Sequence, residues 1–264
     1  MAARIVCFVN QKGGVGKTTT VVNIAAALAL QDQRVLLIDL DPQSNATSAI
    51  GVDARDIAGV YDALVEEVAP ADCITRAEEG FDVMPSNPSL AGAEVELVPA
   101  MAREWRLANV VAPLKDRYDW LLIDCPPSLG LLTVNALAAS ESVIIPVQCE
   151  YMALEGLSRL MQTLDLVRRN LNPGLGIFGI VLTMFDSRTR LAQQVVDDVR
   201  SHFPEAVFET VIPRSIRLSE APGFAQSIFR YEPGSRAAEA YEALTAEVMS
   251  RAGQQAKPSV EATR

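Results

Sequence analysis

The 264-residue chain predicts an α/β fold, a mostly parallel twisted sheet with helices on both faces. Three observations carry this. Short, continuously apolar runs such as VLLID and WLLID suit strands buried on both sides. They alternate with segments of helical period, the pattern of repeated strand–helix–strand units. The first apolar run, 5–9, breaks off in a glycine-rich loop that leads straight into an amphipathic segment, 21–30. Neither an internal repeat nor a low-complexity linker interrupts the pattern. A content of 49% hydrophobic and 21% charged residues suits one globular domain with an ample core.

The elements follow in order. After the first strand and helix, residues 34–39 form a second buried strand, succeeded by a polar loop at 41–48 and an irregular region at 51–79. Residues 80–85 read as a short strand, and 97–114 as a helix with Pro99 near its start. A strand at 119–124 ends in Asp124 and the stiff turn Cys125-Pro126-Pro127. Residues 129–139 read as a helix, 142–147 as a strand, and 153–171 as a long helix stopped by Asn172-Pro173-Gly174. A strand at 176–184, a helix at 188–203 closed by Pro204, and a last strand at 207–212 follow. Helical turns at 216–226 and 234–250 complete a domain of residues 1–251. The tail 252–264 has little to bury and is expected to be disordered.

The stretch RIVCFVNQKGGVGKTTT is where the chemistry begins. Gly13, Gly14 and Gly16 allow backbone angles that bring several N–H groups onto one anion. The following helix adds its unpaired N–H groups and partial positive charge. Lys17 suits the β- and γ-phosphates of a nucleotide, and the Thr18 hydroxyl suits Mg²⁺. The usual phosphate-loop template wants glycine at the position of Gln11. Here a second lysine, Lys12, stands at the head of KGGVGKTT instead.

KGGVGKTT resembles the deviant Walker A motif of the ParA/MinD family. With NQ before it and LIDLDPQSNATS after it, the chain resembles the ParA (Soj-type) chromosome and plasmid partition ATPases. The resemblance implies a single-domain P-loop NTPase fold, with ATP and Mg²⁺ as cofactors and slow basal hydrolysis of ATP to ADP and phosphate. It also implies a homodimer formed on ATP binding, with Lys12 reaching across to the partner's nucleotide. Such a dimer binds double-stranded DNA of the nucleoid non-specifically, and a ParB-type centromere-binding protein stimulates hydrolysis and resets it. The phosphate cradle then comprises Lys12, Gly13, Gly14, Val15, Gly16, Lys17, Thr18 and Thr19.

Asp124, at the end of an apolar run, matches the Walker B aspartate, which holds Mg²⁺ opposite Thr18. Asp39 and Asp41 are two apart at the end of a strand, so both carboxylates can face the nucleotide. By resemblance Asp41 orients the attacking water and Asp39 supports the metal shell; without it, Asp41-Pro42 reads equally as ordinary turn chemistry. Glu150 resembles a dimer-face residue near the partner's nucleotide, although a helix-capping acid reads the same way. Thr183-Met184 and Pro213 lie in two segments that resemble those framing the adenine. DNA contacts are expected from Arg188, Arg190, Arg214, Arg217 and Arg230, with Arg217 and Arg188 first by resemblance, and each also suits a solvated face with ordinary ion pairs.

Composition sets outer limits. The net charge of −10 disfavours a DNA-coating protein, but residues 1–150 hold 10 Lys and Arg against 20 Asp and Glu, while 151–264 hold 13 of each. A neutral half rich in arginine can still present a basic face. The four cysteines form no CxxC and no cluster pattern, which points to a reduced, cytoplasmic protein and away from an iron–sulfur relative such as the nitrogenase iron protein. Neither a membrane span nor a secretory leader is expected. The alternative, a MinD-like membrane-associated positioning ATPase, needs a C-terminal amphipathic helix that AGQQAKPSVEATR does not offer. His202, the single histidine, reads as a helix-surface residue.

Overall fold

The computed structural model describes residues 3–255. In it the phosphate-loop strand β1 (Arg4–Phe8) lies inside the sheet, bonded to β5 (Trp120–Asp124) on one side and β6 (Ser142–Gln148) on the other. Beyond β5 come β2 (Val35–Asp39), β4 (Asp82–Met84) and β3 (Thr75–Arg76); beyond β6 come β7 (Gly176–Phe185) and β8 (Val207–Pro213). All neighbours run parallel except β3 against β4. In such sheets ligands bind beyond the carboxyl ends of the strands.

The pleat divides the core into two layers. Ile5, Cys7 and Val9 pack on the face covered by α5 (Arg106–Val111), α6 (Leu131–Ala139), α7 (Ala153–Asn170) and α8 (Arg190–His202). Val6 and Phe8 point the other way, toward α1 (Lys17–Ala29) and α11 (Arg236–Gln255). Each buried Ile, Leu or Phe contributes roughly 1.5–3 kcal/mol, so polar side chains at the same depth need a reason. Asp39 and Asp124 are fully buried, and Lys17 and Asp41 nearly so. Asp39 and Asp124 end β2 and β5, Asp41 lies in the turn after β2, and Lys17 heads α1 after the loop from β1.

Three expectations change. The helix at 97–114 is broken: α4 (Leu90–Glu96) precedes it, a left-handed Ala102 turns the chain, and single 3-10 turns flank α5. Pro99 and Pro113 have no N–H to extend a helical ladder, so the segment is divided. The polar and irregular regions at 41–79 contain the short helices α2 (Asn45–Ala49) and α3 (Val60–Leu64), together with β3. The last helix runs to Gln255, past the domain boundary expected at 251. Ala252 is buried there, and its carbonyl accepts from the Arg4 guanidinium. The remainder of the tail, 256–264, lies outside the described residues.

Candidate functional site at the ends of the central strands

The loop between β1 and α1 is pinned at its start. Asn10 Nδ2 donates to the Pro146 carbonyl at 2.7 Å, and Asn10 Oδ1 accepts from the Lys12 N–H at 3.0 Å. Gly14 and Gly16 take φ of 72° and 86°, a region that a side chain rarely enters. The first turn of α1 has no side-chain cap, so its unpaired N–H groups remain for an anion. They border a cleft of about 580 Å³ lined by Gly13, Gly14, Gly16, Lys17, Thr18, Thr19 and Asp41.

Thr18 Oγ1 donates to Asp124 Oδ2 at 2.7 Å. The other oxygen, Asp124 Oδ1, is buried with no hydrogen-bond partner among the described residues. Asp39 and Asp124 face each other across β2 and β5. Burial, reinforced by the Asp39 charge, holds Asp124 well above the ordinary carboxylate range. Burial pushes Asp39 up to about 6 against the pull of its hydrogen bonds from Thr47 and Asp41. The Lys17 ammonium is lowered by burial, with the Asp124, Cys125 and Asp41 charges opposing. One lysine beside an orphaned carboxylate oxygen and two further carboxylates leaves room for a hard cation. Among the described residues no three His, Cys, Asp or Glu side chains form a cage. The donor set therefore suits Mg²⁺, which keeps waters and takes phosphate oxygens besides one or two protein ligands.

Asp41 lines the cleft, its Oδ1 accepting from the Gln43 N–H at 3.0 Å. Asp39 does not face the cleft as expected. Its Oδ2 takes the Thr47 N–H at 2.8 Å and the Thr47 hydroxyl at 2.7 Å, and its Oδ1 takes the Asp41 N–H at 3.2 Å. Residues two apart share a face only while the strand continues, and β2 ends at Asp39. Asp39 thus sits beneath the loop that carries Asp41.

Thr183, Met184 and Pro213 come together in a second cavity of about 390 Å³ that shares Gly16, Thr19, Met184, Leu218 and Pro222 with the first. Thr183 Oγ1 donates to the Val15 carbonyl at 2.9 Å, tying β7 to the phosphate loop. Lys12 stands outside the main cleft. Its ammonium pairs with Glu150 at 3.3 Å, both half-exposed, and Gln148 Nε2 donates to the same carboxylate at 2.5 Å. Sequence reasoning missed Thr47 and Ser86, which are buried behind Asp41, and Asn23, Leu218, Pro222 and Gln226 on the cleft wall. A hydroxyl close to an acid-bearing loop is the available signal for Thr47; Ser86 and the wall residues carry none.

The arginines are differently placed. Arg188 forks onto Asp186 at 2.6 Å, Arg217 contacts Glu220 and Glu232 at 2.9 and 3.3 Å, and Arg230 contacts Glu78 and Glu79 at 3.3 and 3.8 Å. Arg190 is exposed at the start of α8 with no such pair among the described residues. His202 is exposed on α8, as expected.

A glycine-rich phosphate loop, a threonine bonded to a strand-end aspartate and a buried lysine define a P-loop NTPase. The family model described as an AAA domain matches residues 3–177. The chain is 53% identical over 247 residues to the sporulation initiation inhibitor protein Soj of Bacillus subtilis, covering 93% of this chain and 98% of that one. It is 52% identical over 250 residues to the chromosome partitioning protein ParA of Myxococcus xanthus, covering 94% and 88%. The chain therefore belongs to the ParA/Soj family of chromosome-partitioning ATPases. Among solved structures, cobyrinic acid a,c-diamide synthase of Mycobacterium smegmatis with bound ATP analog and magnesium superimposes with a TM-score of 0.86 at 37% identity, over 97% of each chain. A plasmid partition protein of Borrelia burgdorferi bound to AMPPNP shares the fold at a TM-score of 0.80 and 24% identity, over 95% and 99%.

Proposed function

We propose that this chain is an ATP-driven partition switch of the cytoplasm and nucleoid, within the domain 1–251 extended to the end of α11. The observation that carries it is the convergence of Lys17, Thr18, Asp41 and Asp124 on one phosphate-sized cradle. The ATP analog and magnesium in the related synthase support ATP and Mg²⁺ as ligands here.

The loop N–H groups and Lys17 bind the phosphates, and Thr18 with Asp124 holds the cation. Magnesium, when bound, neutralises charge on the β- and γ-phosphates. Asp41 orients water for in-line attack on the γ-phosphorus; the bond to the β-phosphate oxygen breaks, and the water's protons pass to the products. The second cavity takes the base in a slot framed by Met184 and Pro213.

Lys12 reaches a partner subunit's nucleotide in an ATP-dependent homodimer, a reading supported by its pairing with Glu150 outside the main cleft. The dimer binds double-stranded DNA without sequence preference, and Arg190 is the first candidate for phosphate contact. A ParB-type partner with a basic segment meets the acidic first half and accelerates hydrolysis. The membrane alternative gains no support from α11, whose Ala238, Tyr241, Leu244 and Val248 are buried in the core rather than presented outward. Among the described residues no helix is long and apolar enough to cross a membrane.

The test is a gel shift on non-specific DNA with ATP, ADP or no nucleotide. Retention is expected with ATP and Mg²⁺ alone and should vanish in Lys17→Gln. Asp41→Ala should stay on DNA with ATP while turnover stops. Identical behaviour of Lys17→Gln and the parent chain, with no retention in either, would end the proposal.

A further inference from the structure

Behind the cleft the polar groups close a ring. The Asp41 N–H donates to Asp39 Oδ1 at 3.2 Å, and Asp39 Oδ2 receives the Thr47 hydroxyl at 2.7 Å. Thr47 Oγ1 accepts from the Ser86 N–H at 3.0 Å, and the Ser86 hydroxyl donates to the Asp41 carbonyl at 2.7 Å. Asp39, Thr47 and Ser86 are all at most 1% exposed. The ring therefore spans three separate segments: the end of β2, the first turns of α2, and the residues after β4. Those segments are held together because β4 pairs with β2, Met84 beside Ile38.

Four features make this ring more than packing. It grips Asp41 by both of its backbone polar groups, which leaves only side-chain torsions to set where the carboxylate points. Both hydroxyl protons are used, since Thr47 donates to Asp39 while accepting from the Ser86 N–H, and Ser86 donates to the loop it braces. A satisfied network in a dry environment is stiffer than the sum of its bonds, and a half-satisfied one is costly. Finally, both Asp39 oxygens are engaged by the loop and by α2, Oδ1 by the Asp41 N–H and Oδ2 by the Thr47 N–H and hydroxyl.

We propose that Thr47 and Ser86 are positioning residues for hydrolysis, acting through Asp41 by fixing its backbone before nucleotide arrives. This rests on the reading of Asp41 as the residue that orients water. A misplacement of about 1 Å far from the reacting atoms can cost on the order of a hundredfold in rate. Loosening one bond of the ring is expected to cost between about tenfold and that limit, in kcat alone.

The experiment uses the full chain with ATP and Mg²⁺, measuring single-turnover hydrolysis, affinity for a fluorescent ATP analogue, and melting temperature. Ser86→Ala and Thr47→Val should lower kcat with nucleotide affinity unchanged. Thr47→Ser, which keeps the hydroxyl, should retain turnover even if Thr47→Val folds poorly. If Asp41→Ala abolishes turnover while Ser86→Ala and Thr47→Val leave it intact, the positioning role is wrong and the role of Asp41 stands. If Asp41→Ala hydrolyses at the parent rate, both are wrong. A Ser86→Ala loss that tracks nucleotide affinity and melting temperature also overturns the inference by making Ser86 merely structural.

Discussion

The two groups of charged residues in this molecule obey opposite rules. Around the phosphate loop, Lys17 at the head of α1 and Asp39, Asp41 and Asp124 at or just past strand ends are buried, Asp39 bonded to the Asp41 N–H and Asp124 to Thr18. In the second half, Arg188, Arg217 and Arg230 are solvent-facing and each lies against a carboxylate of its own chain. Burying a charge is costly unless neighbours or a ligand compensate it, so the first group is maintained against a folding cost and points to function. An exposed ion pair costs little and contributes little, so the second group says less about what it binds. A ligand that supplies cation and phosphate would relieve the first group, while DNA would first have to displace the carboxylates of the second.

The sharpest way to break the contrast is at its buried end. On the proposed reading of Asp124 as a magnesium ligand, Asp124→Asn should reduce turnover by on the order of a hundredfold or more, since a metal charge held there would be worth several kcal/mol in the transition state. Stopped-flow phosphate release measures this; a loss below tenfold would deny the buried carboxylate its special status. Next in size is Gly179→Ala. A Cβ there would stand 2.2 Å from the Phe208 ring, an overpacking expected to cost about 1–3 kcal/mol. The denaturant midpoint should fall accordingly, showing that β7 and β8 beneath the arginines are as rigidly packed as the loop end.

Smaller effects probe the surface end. If Arg190 contacts phosphate and the paired arginines do so only after exchange, Arg190→Ala should reduce the log–log salt slope of DNA binding by about 0.9. Arg188→Ala should change it less, and anisotropy titrations across salt compare the two. The smallest effect is expected for Asp119→Asn. Arg34 sits on Asp119 with contacts of 2.7–3.1 Å and holds its carboxyl below the ordinary value of 3.8. A lowered carboxylate contributes stability above its unfolded pKa and loses it as pH falls through the folded one. Asp119→Asn should therefore lower the melting temperature slightly at neutral pH and converge with the parent chain below about pH 4, which flattens the acid limb of the profile. A marked loss at pH 7 would place this exposed pair among the structural ones.

The contrast also separates what is legible in the sequence from what is not. The placement of the loop from Asn10 to Thr19 and of the acids Asp41 and Asp124 can be read because each follows or ends a strand in the chain itself. Glycine is required at Gly14 and Gly16 by a left-handed backbone, and that requirement is local. The break at 97–102 is hidden because helical period survives across prolines that stop the helix itself. Strand periodicity turns Asp39 toward the cleft, yet the strand stops there and Thr47 takes its oxygens.

By itself, then, the sequence determined the α/β layering, the phosphate cradle and the identity of its lysine, threonine and acids, since alternation, glycine torsions and strand-end placement act over a few residues. Tertiary structure alone decided that Ser86 reaches the Asp41 carbonyl, that Lys12 turns outwards onto Glu150, and that Arg230 meets Glu78 and Glu79. Those contacts join residues dozens to more than a hundred positions apart. Only sheet order and the depth of each side chain determine which of many possible donors and carboxylates meet.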